Sequence, residues 1–129
     1  MNIKHIDHLV LTVKNIEKTV QFYESVLGMK KEIFGDGRVA LTFGNHKINL
    51  HQVGNEFEPK AKHPTPGSAD LCFITDIDLN IAMNSVKDKG IQIIEGPVKR
   101  TGANGIILSF YFRDPDSNLI EISNYYMST

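Results

Sequence analysis

Four residues of types that bind metal ions stand at paired positions along the chain: His8 and His51 in the first half, Asp70 and Glu121 in the second. The segment His8-Leu9-Val10-Leu11-Thr12-Val13 is echoed by Asp70-Leu71-Cys72-Phe73-Ile74-Thr75, and Gly28 is echoed by Gly90 at the same spacing. Farther on, Ile48-Asn49-Leu50-His51 is echoed by Asn118-Leu119-Ile120-Glu121. Imidazole nitrogens and carboxylate oxygens hold divalent cations. Two similar units presenting these four side chains from equivalent strands would place a metal site between modules.

The elements that must position them can be read from periodicity and punctuation. Residues 6–13 alternate as a half-buried strand does, with Leu9, Leu11 and Val13 on one face and His8, Val10 and Thr12 on the other. Asn15 is the expected helix N-cap; Ile16, Val20, Tyr23 and Leu27 follow at helical spacing, and Gly28 is the stop. Strands are expected over 29–34, 39–43 and 47–53, with Asp36-Gly37 and Gly44-Asn45 turning between them. The stretch 54–67 holds Pro59, Pro64 and Pro66 with little periodicity and reads as a linker. The order then repeats: a strand over 68–75, Asp78 as cap, a helix lined by Leu79, Ala82, Met83 and Val86, then Gly90. Strands near 91–95, 107–113 and 118–124 complete the unit, with a tight turn at Asp114-Pro115-Asp116-Ser117. The fold class is α+β: a single domain over 1–129 made of module 1–54, linker 55–67 and module 68–129. Each module is βαβββ, a cupped mixed sheet with its helix on the outer face. The other face, which mixes polar and apolar residues, suits a cavity.

Composition removes several classes. A chain of 129 residues with 41% hydrophobic content is one compact soluble unit. A formal net charge of −1 offers no basic stripe for nucleic acid. No apolar run approaches the ~20 residues that cross a bilayer, and the polar start at residues 1–7 is no signal peptide. Cys72, the lone cysteine, sits in an apolar run and is expected to be a buried structural thiol. A disulfide within the chain is impossible, so a reducing, cytoplasmic location is expected. The segment 96–105, with three glycines, Lys99 and Arg100, reads as a loop whose Arg100 could meet an anionic substrate. Asn49, on the strand face of His51, is a second candidate substrate contact, whereas His5, His46 and His63 read as surface residues.

Four stretches together resemble the vicinal oxygen chelate superfamily: Ile6-Asp7-His8-Leu9-Val10-Leu11, Phe22-Tyr23-Glu24-Ser25-Val26-Leu27-Gly28-Met29, Lys47-Ile48-Asn49-Leu50-His51, and Arg113-Asp114-Pro115-Asp116-Ser117-Asn118-Leu119-Ile120-Glu121-Ile122. That superfamily includes glyoxalase I, extradiol dioxygenases, and fosfomycin and bleomycin resistance proteins. The resemblance implies two βαβββ modules cupped around a divalent metal (Zn, Ni, Mn, Co or Fe), with ligands from the first and last strands of each module. Those are the positions of His8, His51, Asp70 and Glu121. It also implies a homodimer. The chain departs from the enzymatic pattern in having Asp70 where His or Gln is common and His51 where Glu is common.

The function expected is that of a metal-dependent enzyme acting on a small oxygen-rich molecule. A divalent ion would bind two adjacent substrate oxygens and stabilise an oxyanion, while Glu121 or Asp70 moves a proton. Lyase, isomerase and epimerase outcomes fit that scheme. One rival is a non-haem iron dioxygenase using His8, His51 and Glu121. The other is a metal-free protein that sequesters a drug or metabolite, as bleomycin-resistance-like members do. Four ligand-type residues and near-neutral charge favour catalysis.

Overall fold

Both helices begin where a side chain caps them. In the computed structural model, which describes residues 1–126, α1 (Ile16–Leu27) is preceded by Asn15, whose side chain accepts from the Lys18 N–H. The helix ends at Gly28, whose φ of 68° few other residues tolerate. Asp78 caps α2 (Leu79–Asp88) by accepting from the Asn80 and Ile81 N–H groups. The order is β1 (Leu9–Val13), α1, β2 (Lys30–Phe34), β3 (Arg38–Phe43), β4 (His46–Gln52), β5 (Asp70–Ile74), α2, β6 (Glu95–Gly102), β7 (Gly105–Arg113) and β8 (Leu119–Tyr125).

Two compact units result, Met1–Ser68 and Ala69–Thr129, each βαβββ, with positions 127–129 outside the described residues. Unit 1 holds a mixed sheet of order β1-β4-β3-β2, and unit 2 one of order β5-β8-β7-β6. The first and last strands of each unit pair in parallel and the other neighbours antiparallel. Helix and sheet close a small core in each unit. Leu11, Val13, Leu41, Ile48 and Leu50 are buried with Val20 and Tyr23 of α1; Phe110, Phe112, Ile120 and Ile122 are buried with Leu79 and Val86 of α2. Among the described residues no helix is long and apolar enough to cross a membrane.

Two expectations need correction. The sixth strand does not occupy 91–95 followed by a loop over 96–105; residues 91–94 are irregular, and Glu95–Gly102 is the strand. Gly96-Pro97 looks like a loop signal, but here it marks a register shift between Glu95 and Val98 within the β6–β7 ladder. A Cβ at Gly96 would lie 2.6 Å from the Phe110 Cα, so glycine lets β6 cross its neighbour closely. Cys72, in turn, is exposed rather than buried, because in β5 it lies on the face away from the apolar side chains of Leu71 and Phe73.

Candidate functional site

The sheet face of unit 1 turned away from Leu11 and Leu50 carries Val10, Thr12, Arg38, Ala40, Asn49 and His51. His8 stands one position before β1, not within it. Its Nδ1 lies 2.7 Å from Asp7 Oδ2, and this hydrogen bond holds the Asp7 carboxyl below the usual carboxylate range. A carboxylate only accepts, so Nδ1 carries the proton and the Nε2 lone pair is left for another partner.

His51 is differently engaged. Its Nε2 lies 3.4 Å from Arg38 Nη2, and since arginine only donates, Nε2 accepts and Nδ1 carries the proton. The ring is 3% exposed and meets Phe57 edge-on at 5.7 Å. Burial, then the Arg38 charge, pushes the imidazole pKa down, while Glu56 opposes this. Two residues back on the same face, Asn49 is 6% exposed, and its Oδ1 has no hydrogen-bond partner among the described residues. A buried carbonyl oxygen without a donor costs free energy unless something else comes to it.

Unit 2 presents hydroxyls and a carboxylate on its corresponding face. Ser109 Oγ donates to Glu121 Oε2 at 2.6 Å and lies 2.6 Å from Ser123 Oγ. With the single Ser109 proton committed to Glu121, Ser123 Oγ donates either to Ser109 Oγ or to Glu121 Oε2, which lies 3.5 Å away. Cys72 Sγ lies 3.3 Å from Ser123 Oγ. Cys72, Ser123 and Ser109 thus form one hydrogen-bonded group beside the Glu121 carboxylate. Although the residue is exposed, local loss of water around its sulfur raises the Cys72 thiol pKa, and the charges of Glu121 and Asp70 add to the effect. Tyr111, opposite Glu121, is pushed up by burial and by the Glu121 charge. Sequence reasoning missed Ser109 and Ser123, because serines in a strand carry no signal until register places them beside a carboxylate.

Register also corrects the internal correspondence. Glu121 lies opposite Cys72, and Asn49 lies opposite Val10. Val10 precedes Cys72 by the same spacing that separates His8 from Asp70, so Asn49 is the counterpart of Glu121 and His51 that of Ser123. Two clasps agree. Gln52 donates to the Lys14 carbonyl, and Asn124 donates to the Thr75 and Ile77 carbonyls, each tying the last strand to the loop before the helix. The echo of Ile48-Asn49-Leu50-His51 in Asn118-Leu119-Ile120-Glu121 is therefore out of register, and Ile120-Glu121-Ile122 matches Ile48-Asn49-Leu50 instead.

The remaining candidates fall as follows. Asp70 opens β5, exposed, with the preceding Ala69 N–H donating to Asn118 Oδ1 at 2.8 Å. Arg100 is not on a loop; it lies in β6, donating to Tyr111 Oη at 3.0 Å and to Glu95 Oε1 at 3.2 Å. His5, His46 and His63 are exposed. Among the described residues no three His, Cys, Asp or Glu side chains stand gathered as a complete ligand set.

The family model for the Glyoxalase/Bleomycin resistance protein/Dioxygenase superfamily matches residues 5–122. The chain belongs to this superfamily. An integron cassette protein from the mobile metagenome of V. cholerae superposes with a TM-score of 0.96 at 67% identity, covering 98% of both chains. A virulence protein of Salmonella typhimurium is 60% identical over 125 residues, 97% of this chain and 87% of that protein. A glyoxalase domain-containing protein of Mycosarcoma maydis is 55% identical over 125 residues, 97% of this chain and 70% of its own length.

Glyoxalase-superfamily chemistry with a divalent metal can be tested against the donors present. Among the described residues the Nε2 of His8 has no partner and its ring is oriented by Asp7; Glu121 is held by Ser109; Asn49 Oδ1 is buried and has no partner. Unit 1 thus offers an imidazole and a carboxamide oxygen and unit 2 a carboxylate, donor types that each suit a divalent ion. The donors fit the group.

Proposed function

We propose that this chain is a divalent-metal-dependent enzyme that acts on adjacent oxygens of a small molecule, with lyase, isomerase or epimerase outcome. The donors assigned are His8 Nε2, Asp70 and Glu121, with Asn49 Oδ1 at the position matching Glu121. The single observation that carries the reading is the preparation of two of them: Asp7 fixes the tautomer of His8, and Ser109 fixes an oxygen of Glu121. Such supporting hydrogen bonds orient ligands and are costly to lose.

The bound ion would supply Lewis acidity toward an oxyanion on the substrate. Glu121 is held in place by the hydrogen bond from Ser109, which suits it to hold the ion rather than to move a proton. Asp70 is therefore the group assigned to move a proton at the carbon beside the polarised oxygen. His51 is placed outside the donor set, because its Nε2 accepts from Arg38. A homodimer belongs to the same proposal, and sedimentation as a monomer only would remove it.

Metal analysis of untagged protein beside His8→Ala and Glu121→Ala tests the reading. The expected result is about one divalent ion per chain, lost in both variants. Wild type that stays empty after reconstitution would remove metal chemistry and leave ligand sequestration. Iron that is also lost in His51→Ala would return His51 to the ligand set and make the protein a dioxygenase.

A further inference from the structure

We propose that Arg38 is an oxyanion-binding residue and that the substrate of the site carries a carboxylate. The inference deepens the enzymatic reading above and rests on it for the word substrate, but the binding itself needs no metal.

Most cations near Arg38 and on the matching face of unit 2 are already paired. Lys47 has Glu32 at 3.9 Å, Lys60 has Glu56 at 3.3 Å and Glu58 at 3.5 Å, and Arg100 has Glu95 at 3.2 Å. Arg38 has no acidic partner within ion-pair distance among the described residues. Among the described residues its one polar contact is the long 3.4 Å bond to His51 Nε2, which occupies a single N–H of five. Glu56, whose charge is felt at His51, is itself engaged by Lys60 and by the Gly54 N–H at 2.8 Å.

Despite this, the guanidinium is held. Its carbon lies 5.1 Å from the Phe34 ring centroid and 4.7 Å from that of Phe57, and the residue is half-buried. Two aromatic contacts fix the plane of the fork while leaving its edge donors for a planar anion. A preformed guanidinium loses little freedom on binding a carboxylate, which it can meet with two parallel hydrogen bonds. The neighbouring His51 has its proton on Nδ1, a further donor on the same side chain cluster. Lys47, 3.5 Å from the Phe34 centroid, adds positive charge around the same ring. Charge, geometry and unused donors converge on a small carboxylate, and on Arg38 rather than Arg100 as the residue that takes it.

The test is a side-chain NMR titration of metal-free protein with lactate and with its uncharged counterpart lactamide, following the Arg38 Nε–H and the His51 ring. Lactate is expected to shift both saturably and lactamide to leave them in place. Arg38→Met, which keeps the apolar stem against the rings, should bind lactate at least about ten-fold more weakly. Arg38→Lys, with charge but no fork, should recover part of that loss, and Arg100→Met should bind as wild type. Absence of saturable shifts, equal shifts with lactamide, or undiminished binding in Arg38→Met would overturn the assignment. Should Arg38→Met fail to fold, wild-type affinity in Arg38→Lys together with equal lactamide shifts overturns it. Lactate binding that depends on Arg38 in a protein that takes up no metal would leave this inference standing and remove the metal reading alone.

Discussion

In unit 1 the positions Arg38, Asn49 and His51 bring a cation, a carboxamide whose Oδ1 has no partner among the described residues, and a buried imidazole to one sheet face; in unit 2 the matching positions hold Ser109, Glu121 and Ser123. The pairing itself is retained. Arg38 meets His51 across two strands just as Ser109 meets Ser123, at 3.4 Å and 2.6 Å. The helix-facing positions are apolar in both units, so the duplicated half of each strand is the half that builds the core. The free face tolerates change because no core packing constrains it. Unit 1 used that freedom to concentrate positive charge and aromatic rings, and unit 2 to surround a carboxylate with hydroxyl donors. The unit 1 face carries the guanidinium and the unit 2 face the carboxylate.

The strongest way to break this contrast is to remove the two matched oxygens in turn. Glu121→Ala should lower divalent-metal affinity by about 100-fold or more, and Asn49→Ala by about 10-fold, since a neutral carbonyl contributes less than a charged ligand. Calorimetric titration measures both, and equal losses would mean that the two faces are not specialised. Gly96→Ala should destabilise the protein by about 1–3 kcal/mol in urea unfolding, because its Cβ would strike the β7 backbone. Unit 1 has no such bulge at Glu32–Phe34, where the ladder is regular, so the cost should be peculiar to unit 2. Ser109→Ala should cost about 1–2 kcal/mol, as a buried hydroxyl that donates to Glu121 and contacts Ser123 is lost. It should also loosen metal binding, which separates its role from simple packing.

A smaller effect concerns His51. Its folded-state pKa is depressed, so the unfolded chain takes up the proton first as the solution is acidified. The stabilisation from the neutral ring is therefore fully present above the ordinary imidazole value of about 6.5 and falls away as the pH drops below it. Urea midpoints of wild type and His51→Gln, followed downward from neutral pH, should converge; parallel curves would mean His51 is not buried as neutral imidazole. Asp7→Asn should show the least effect, a few-fold loss of metal affinity with an unchanged melting temperature, because the Asp7–His8 pair is exposed.

Much of the scaffold was legible in the sequence. Asn15, Gly28 and Asp78 act through bonds within a few residues of themselves, so their roles as caps and stop follow from local chemistry. The duplication of β1 in β5 was readable for the same reason, since a strand shows its two faces by alternation alone. The matching of the last strands was not. Alternation repeats every second residue, so Glu121 could be aligned with His51 or with Asn49 without disturbing the apolar pattern. Only the pairing of Glu121 with Cys72 and of Asn49 with Val10 decides between them. The β6 strand was lost because Gly96-Pro97 is a loop signal unless a neighbouring strand is present to bulge against. Arg38, Ser109 and Ser123 carry no motif; they matter because distant strands place them against His51 and Glu121.

Sequence by itself determined the α+β class, the two βαβββ units, the helix ends and the presence of His8, Asp70 and Glu121 on strands or beside them, because each depends on spacing along one segment. Tertiary structure alone decided which residues of the two last strands correspond and, among the described residues, that the buried Asn49 Oδ1 has no partner, that Arg100 has an acidic partner and Arg38 has none, and that Ser109, Ser123 and Cys72 group beside Glu121. Those properties depend on hydrogen bonds between residues far apart in the chain, and no local pattern encodes the register that brings them together.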